Sequence, residues 1–315
     1  MGKKSRSGSN RRLIVYLLVL LIAACVYYFI QSGPAADIPN PASTPEAPAE
    51  TDDGGTAQGE LTVYVIDVGQ GDSILLLSPS GKTMLIDAGE SSAFPAIDAL
   101  LKELNIKRLD IAVATHPHSD HIGAMEKVIR NYEIGAFYMP PVEHTTKTFE
   151  NMLTALDELS VPVKKAEVGS TEPVSWDDAV QILVLSPFDV EYDDLNDYSI
   201  MLNVRFKETA VMLTGDAEQT AEALALKELP NRYFKADVLK LGHHGSSTST
   251  SDKFLAKVDP EIAVISVGAG NDYGHPHDET IEKLKSSGIS VYRTDENGTV
   301  KIVLDGTNVK VLPDK

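Results

Sequence analysis

Residues 114–123 read Ala-Thr-His-Pro-His-Ser-Asp-His-Ile-Gly, which places three imidazoles and a carboxylate within six positions. The mostly apolar run at 109–114 that leads into this stretch is typical of a strand, and the pattern from about 122 to 130 is typical of a helix. The stretch therefore lies on a strand-to-helix turn. Proteins that layer helices on sheets commonly bind ligands at such turns, beyond the carboxyl ends of the strands.

The spacing within this stretch predicts two adjacent metal sites. Side chains alternate along an extended segment, so His116 and His118 face the same side, and the turn directs Asp120 and His121 toward a neighbouring point. Imidazole and carboxylate ligands suit zinc, manganese or iron, and the single Cys25 excludes a thiolate site. The plainer alternative is a His-rich surface loop, which is disfavoured because the whole chain has only eight histidines.

The His-x-His-x-Asp-His pattern resembles the signature of the metallo-β-lactamase superfamily, and further motifs resemble the hydrolase domain of ComEC-type competence proteins. The resemblance covers about residues 61–311 and lacks the polytopic membrane channel of those proteins, so the chain is identified as a stand-alone relative. It implies an α/β fold, the four-layer αβ/βα sandwich, with two divalent metal ions, Zn or Mn. The further motifs are Asp67-Val-Gly-Gln-Gly-Asp-Ser73, Met212-Leu-Thr-Gly-Asp216, Val238-Leu-Lys-Leu-Gly-His-His-Gly-Ser246, Gly274-His-Pro-His277 and Tyr292-Arg-Thr-Asp295.

The order of the secondary-structure patterns agrees with that fold. Short strands come first and then alternate with helices, twice along the chain, which suits two sheets packed face to face with helices outside. At 315 residues and 43% hydrophobic composition, the chain can bury a sizeable core, and the order of the segments favours one large domain at residues 61–315. Asn297-Gly298, between two strand-like runs, predicts a hairpin turn.

The segment before residue 61 predicts a membrane attachment. Residues 1–12 are basic, and residues 13–30 are an unbroken apolar run that would span about 27 Å as a helix, close to the thickness of a bilayer core. The basic side stays in the cytoplasm, so the hydrolase domain lies outside a bacterial cell membrane. Residues 31–60, rich in Pro, Ala and acidic residues, form a disordered linker. A cleaved signal peptide and a lipoprotein box at Cys25 are the alternatives.

The charge of the chain limits its partners. The formal net charge is −18, and the first 30 residues contain five basic residues and no acid, so the rest is more acidic still. Such a surface repels polyanions at long range, which argues against broad, non-specific DNA binding. The acidity keeps an exported protein soluble, and a monomer is expected.

Three residues far along the chain complete the predicted ligand set. The resemblance implies that Asp216 bridges the two ions, although an Asp before a helix can also cap it. His243 or His244 completes the shell of the second ion. Adjacent side chains tend to diverge, so one of the pair binds the metal, and His243 is preferred.

One departure from the superfamily concerns the first ion. Most members supply another His between the first cluster and the bridging Asp, but here the only His in that interval is His144, in a context that does not match. In the ComEC-like subgroup this place resembles the stretch that holds Asn196 and Ser199, which would face the metal directly or through water. The first ion is therefore expected to be held more weakly.

Further polar residues are predicted to support the metals. Asp67, Asp72 and Asp87 lie on or beside strand ends and would orient the ligating imidazoles, with simple turn chemistry as the alternative.

The loops that follow supply candidates for substrate contact. Ser246 opens a hydroxyl-rich loop that would meet phosphate oxygens. By the resemblance, the loop of His275 and His277 lines the site, and His275 polarises the leaving group or a phosphate oxygen. Solvated loop histidines are the alternative.

Taken together, these residues predict a membrane-anchored, extracytoplasmic, metal-dependent phosphodiesterase or nuclease acting on DNA or nucleotides. Asp120 positions or deprotonates the attacking water. Two alternatives remain. The first is hydrolysis of another bond, in a lactone, a β-lactam or a phosphorylcholine ester, since a fold does not fix a function. The second is a non-catalytic accessory to DNA uptake.

Overall fold

The computed structural model describes residues 59–169 and 176–315. The predicted basic segment, the apolar run and nearly all of the predicted linker lie outside the described residues. Within the described ranges, no helix is both long enough and apolar enough to cross a membrane.

The described strands, in chain order, are β1 (Leu61–Val65), β2 (Ile74–Leu77), β3 (Thr83–Ile86), β4 (Arg108–Val113), β5 (Glu133–Met139), β6 (Val163–Lys165), β7 (Val180–Ser186), β8 (Met201–Phe206), β9 (Thr209–Leu213), β10 (Val238–Lys240), β11 (Ile262–Ile265), β12 (Ser290–Arg293), β13 (Val300–Leu304) and β14 (Val309–Pro313). The helices are α1 (Phe94–Glu103), α2 (Ser119–Ile122), α3 (Met125–Asn131), α4 (Lys147–Glu158), α5 (Gln219–Glu228), α6 (Asp252–Val258), α7 (Asp278–Ser286) and α8 (Thr294–Asn297).

Two sheets carry these strands. The first has the order β14-β13-β1-β2-β3-β4-β5-β6, and the second has the order β12-β11-β10-β9-β8-β7. Strands β3 to β6 are parallel to one another, as are β9 to β12. The carboxyl ends of these parallel runs are the places where loops can gather ligands.

Three apolar clusters explain how the layers are held together. The inner cluster packs the two sheets against each other and includes Val63, Leu76 and Val264. A second cluster, with Ile97, packs helices on the outer face of the first sheet. A third, with Phe254, does the same for the second sheet. The four-layer sandwich predicted from the sequence is therefore confirmed.

Strand β1 shows why several of these strands read as continuous apolar runs. All five of its residues are buried, because Val63 faces the other sheet while Tyr64 packs on the helix side. A strand covered on both faces loses the alternation of a half-exposed strand. Strand β1 runs in the same direction as β3 and β4, so Val65 lies at the edge where those strands end, and Leu61 lies at the opposite edge.

The hairpin prediction at Asn297-Gly298 was wrong. Strands β12 and β13 belong to different sheets, and the chain crosses between the sheets through the short helix α8. Gly298, with a φ of +66°, follows the end of that helix. A positive-φ glycine ends helices as readily as it makes hairpin turns, so the dipeptide alone does not distinguish the two.

Candidate metal centre

The predicted ligands come together at the carboxyl ends of strands from both sheets. The stretch 114–123 follows β4 of the first sheet, whereas Asp216, His243 and His244 follow β9 and β10 of the second. The turn that holds Gly71 packs against the same stretch, and the N–H of Asp72 donates to the Asp120 carbonyl at 3.1 Å. A Cβ on Gly71 would lie 2.1 Å from that carbonyl oxygen, so this close approach requires glycine.

Four side chains form the tightest group, which we call the Asp216 cluster: Asp120, His121, Asp216 and His244. Each offers one ligand atom, and these atoms all lie within 4.8 Å of one another. Asp216 Oδ2 lies 3.1 Å from His121 Nε2 and 3.3 Å from His244 Nε2. Asp120 Oδ2 lies 3.2 Å from His244 Nε2. Two imidazoles and two carboxylates at this spacing suit a divalent transition metal.

His116 and His118 form a second pair beside this cluster. His116 Nε2 lies 3.0 Å from His118 Nδ1 and 4.0 Å from Asp216 Oδ2. Asp216 therefore stands between the His116–His118 pair and the two imidazoles of the cluster. A carboxylate that bridges two ions is needed at such a position.

The hydrogen bonds of the Nδ1 atoms of His121 and His244 orient these rings so that their Nε2 atoms can bind a cation. His121 Nδ1 donates to Asp87 Oδ2 at 2.8 Å, and His244 Nδ1 donates to the Ser266 carbonyl at 2.9 Å. These contacts fix the tautomer that leaves Nε2 facing Asp216. Among the described residues, His121 Nε2 and Asp216 Oδ1 are buried without a hydrogen-bond partner. The residues present therefore fit divalent ions.

The charges in the cluster are mutually stabilising without metal. Burial raises the pKa of the Asp216 carboxyl, but the charges of His121 and His244 outweigh this and hold that pKa well below its usual range. Burial lowers the pKa of both imidazoles, but Asp216 outweighs this and holds each pKa well above its usual value. The metal-free protein therefore carries protons where a cation would bind.

We expect metal affinity to rise with pH for this reason. A cation must displace the protons on His121 and His244, so the apparent affinity should increase about tenfold per pH unit for each proton released. The same protons stabilise the metal-free fold below the ordinary histidine pKa of about 6.5, and this contribution is lost as pH rises through the raised values. Calorimetric titration with Zn²⁺ in buffers of different ionisation enthalpy measures the protons released. An affinity independent of pH would contradict the expectation.

His244, and not His243, belongs to the cluster, which reverses the preference drawn from the sequence. His243 Nδ1 contacts Glu218 Oε1 at 2.9 Å, and its Nε2 lies 4.0 Å from Asp216 Oδ2. Both histidines have left-handed backbones, with φ of +47° and +54°. Such strain in non-glycine residues is typical of functional sites, and here it turns His244 inward and leaves His243 beside Glu218. Glu218 was not among the sequence candidates.

The two candidates for the missing third ligand have different positions. The Ser199 hydroxyl lies 3.3 Å from His116 Nδ1 and accepts the N–H of Asp216 at 3.1 Å, so Ser199 supports His116 from behind and does not face the ion. Asn196 lines the pocket described below, and its Oδ1 is buried with no hydrogen-bond partner among the described residues. Of the two, Asn196 presents a buried side-chain oxygen beside His118.

The three supporting aspartates also differ. Asp87 accepts hydrogen bonds from the N–H and hydroxyl of Thr115, at 2.8 and 2.6 Å, while it holds His121. Asp72 Oδ1 lies 3.5 Å from His244 Nδ1, so it stands behind that ring. Asp67, by contrast, accepts the N–H of Gly69 at 3.3 Å, which is turn chemistry and not support of an imidazole.

Sequence reasoning missed Lys240. It forms an ion pair with Asp72, and both side chains are 1% exposed. The Lys240 charge opposes the effect of burial and lowers the pKa of the Asp72 carboxyl. The sequence carried a signal for this ion pair, because a lysine within the apolar run 238–241 needs a buried partner.

Ser246 and His277 make hydrogen bonds with residues of the loop that follows His244. Neither is among the described residues that line the pocket over the cluster. The Ser246 hydroxyl pairs with that of Thr248 at 2.9 Å, and His277 Nδ1 accepts the N–H of Ser247 at 3.0 Å. The substrate contact that the sequence predicts for these two residues stays a prediction.

A pocket of about 320 Å³ opens over the metal centre. His275 lines it, and burial, together with the neighbouring His243, lowers the pKa of His275 to about 4. His275 is therefore neutral near pH 7 and acts as a hydrogen-bonding group without positive charge. The described lining comprises Gln70, His118, Ser119, Asp120, His144, Thr146, Asn196, Asp216, His243, His244, Tyr273 and His275.

Comparison with known proteins gives a family match and competence-protein relatives. The family model described as "Metallo-beta-lactamase superfamily" matches residues 66–269. "ComE operon protein 3" of Bacillus subtilis (strain 168) is 32% identical over 263 residues, which cover 78% of this chain and 33% of that protein. "Competence protein ComA" of Neisseria gonorrhoeae is 32% identical over 255 residues, covering 80% and 34%. The chain spans about a third of the length of these relatives.

A solved structure agrees with the fold. Igni18, described as a metallo hydrolase from the archaeon Ignicoccus hospitalis KIN4/I, has a TM-score of 0.50 and 21% identity. The match covers 76% of this chain and 98% of that one.

Proposed function

Because the chain belongs to the metallo-β-lactamase superfamily of metal-dependent hydrolases, we propose that it hydrolyses phosphodiester bonds in DNA or in a nucleotide. The Asp216 cluster carries this proposal, since it gathers four ligands beside the His116–His118 pair at the floor of an open pocket. The competence-protein names of the relatives support a substrate related to nucleic acid.

Divalent ions held here would supply an activated water and would neutralise charge on the phosphate oxygens. Asp120 is the candidate base, because its carboxylate is 22% exposed and lines the pocket. Burial raises the pKa of the Asp120 carboxyl, but the charge of His121 outweighs this and holds the pKa below its usual range, so the group is ionised and can orient the attacking water by accepting its hydrogen bond. His275 lines the pocket wall, where its neutral ring would donate a hydrogen bond to a phosphate oxygen.

We expect the two ions to be held unequally. The Asp216 cluster offers four ligands to one ion, whereas the other ion has His116, His118, the shared Asp216 and the amide oxygen of Asn196. Each site offers two imidazoles, but at the second site a neutral amide oxygen takes the place of one carboxylate, so the attraction for a divalent cation is weaker. A carbonyl oxygen ligand also suits manganese. Titrating the metal-free protein should show one tightly bound ion, a second acquired only with added metal, and activity that rises with manganese. Two equally tight zinc ions, with full activity at that stoichiometry, would contradict this.

The proposal includes attachment to a bacterial membrane through residues 13–30, with the hydrolase domain outside the cell as a monomer. The uninterrupted apolar run after a basic segment supports it. Protease added to intact cells should degrade the domain if it is exposed, and a protected domain would count against this orientation.

The activity itself is tested with the purified full-length protein and a substrate panel. Labelled single-stranded DNA, a chromogenic phosphodiester, a phosphorylcholine ester, a lactone and a β-lactam are each incubated with added Mn²⁺ or Zn²⁺, and EDTA serves as the control. We expect metal-dependent turnover of the phosphodiesters. Turnover of the lactone, the β-lactam or the phosphorylcholine ester without phosphodiester cleavage would overturn the proposal in favour of another bond.

A further inference from the structure

An aromatic side chain stands at the mouth of the metal pocket with most of its surface free. Tyr273 is 66% exposed, although it lines the same pocket as the Asp216 cluster. Its ring stacks on that of His275, with centroids 5.7 Å apart and planes 21° from parallel. His275 in turn lies 5.2 Å from the His243 ring. A row of rings thus leads from the metal centre to an open aromatic face.

The loop that carries Tyr273 is held in place from within. The amide of Asn271 donates to the carbonyls of Gly268 and His275, at 3.0 and 2.6 Å, and its Oδ1 accepts the N–H groups of Tyr273 and His275, at 3.1 and 3.0 Å. Gly268 also donates to Gln70 Oε1 at 3.2 Å. A Cβ on Gly268 would lie 2.6 Å from the Gln70 nitrogen, so the loop sits tightly on the Gln70 turn. The exposed ring is therefore a braced feature of the site.

The charges around the pocket indicate how a nucleic acid would be held. Among the described residues that line the pocket, none is lysine or arginine. The chain as a whole has a net charge of −18. Basic side chains of the pocket lining therefore do not supply the affinity, and the metal centre and contacts to the bases remain as its sources within the pocket. An aromatic face provides such contacts for any base, since every base has a π-face.

We propose that Tyr273, stacked on His275, is the platform for an unpaired nucleobase next to the scissile phosphodiester. This rests on the proposed phosphodiesterase function and deepens it by naming the substrate class as single-stranded nucleic acid. A base inside a duplex is stacked on its neighbours and is not available to the ring, so the platform selects against double-stranded DNA. Tyr273 acts on the substrate by direct contact, without taking part in proton transfer.

The test uses end-labelled single-stranded oligonucleotides, either intact or with abasic tetrahydrofuran residues around one cleavage position. The full-length protein is compared with Tyr273→Ala, with Tyr273→Phe, which keeps the aromatic face, and with Leu159→Ala, a control at an exposed position elsewhere. Tyr273→Ala should lower kcat/KM on intact strands by about 5- to 150-fold, mainly through KM, and should change cleavage of the abasic strands little. Tyr273→Phe and Leu159→Ala should match the unsubstituted protein.

Binding separates this proposal from the one on which it rests. Fluorescence anisotropy of a labelled oligonucleotide is measured with Asp120→Asn, with and without Tyr273→Ala. Binding that depends on Tyr273, without cleavage by the unsubstituted protein, would support the platform and overturn the phosphodiesterase. Cleavage that does not change in Tyr273→Ala, or that falls equally on abasic strands, would overturn the platform while the phosphodiesterase stands.

Discussion

Replacing Asp120 with alanine is expected to reduce turnover by about 10²- to 10⁴-fold while the fold stays intact. The carboxylate lies at the pocket floor, 3.2 Å from His244 Nε2, and is partly exposed, so its loss leaves no apolar cavity. The change removes both a metal ligand and the candidate base. Turnover is measured at saturating metal, since a loss that added metal reverses would indicate a ligand role alone.

Ser119→Ala is the matched control for this prediction. Ser119 is adjacent to Asp120 on the short helix α2 and lines the same pocket. Its hydroxyl donates to Glu90 Oε1 at 3.0 Å, away from the cluster. It should retain nearly full activity. If Asp120→Ala kept most of its activity at saturating metal, the role assigned to this carboxylate would be wrong.

Replacing Lys240 with methionine is expected to lower the free energy of unfolding by about 3–5 kcal/mol. The substitution keeps an unbranched side chain of similar volume but leaves the Asp72 carboxylate buried without its closest positive partner. Because Asp72 stands behind His244, metal affinity should fall as well. Denaturant unfolding of the metal-free protein measures the change in the free energy of unfolding, without any contribution from metal binding.

The double variant Lys240→Met with Asp72→Asn tests whether the ion pair is the cause. It removes both charges, so it should be more stable than Lys240→Met alone. Equal destabilisation in the single and double variants would show that packing around the lysine stem, and not the unpaired carboxylate, sets the loss. Lys235→Met, at an exposed lysine paired with Asp259, is the control and should have little effect.

The candidate metal ligands could be predicted from the sequence because their chemistry is local. His116 to His121 lie within one turn, and the apolar strand before them fixes the edge of the sheet to which they belong. Asp216 likewise follows a strand directly. Wherever a ligand stands immediately after a recognisable strand, position along the chain predicts position in space.

The choice between His243 and His244 was not accessible in this way. It depends on two consecutive residues with left-handed backbones, which no sequence pattern predicts. It also depends on Glu218, a residue of another loop that contacts His243. The wrong hairpin at Asn297-Gly298 has a similar origin, since the choice of partner strand is set by packing across the molecule and not by the turn residues.

The register of β1 determines how the whole domain can be presented to its surroundings. The chain enters the sheet at Leu61, at one end of β1. Val65, at the other end of the strand, is about 13 Å from Leu61, and the candidate metal centre lies beyond Val65. A tether that is joined to the domain through Leu61 is therefore attached at the edge of the sheet opposite the pocket.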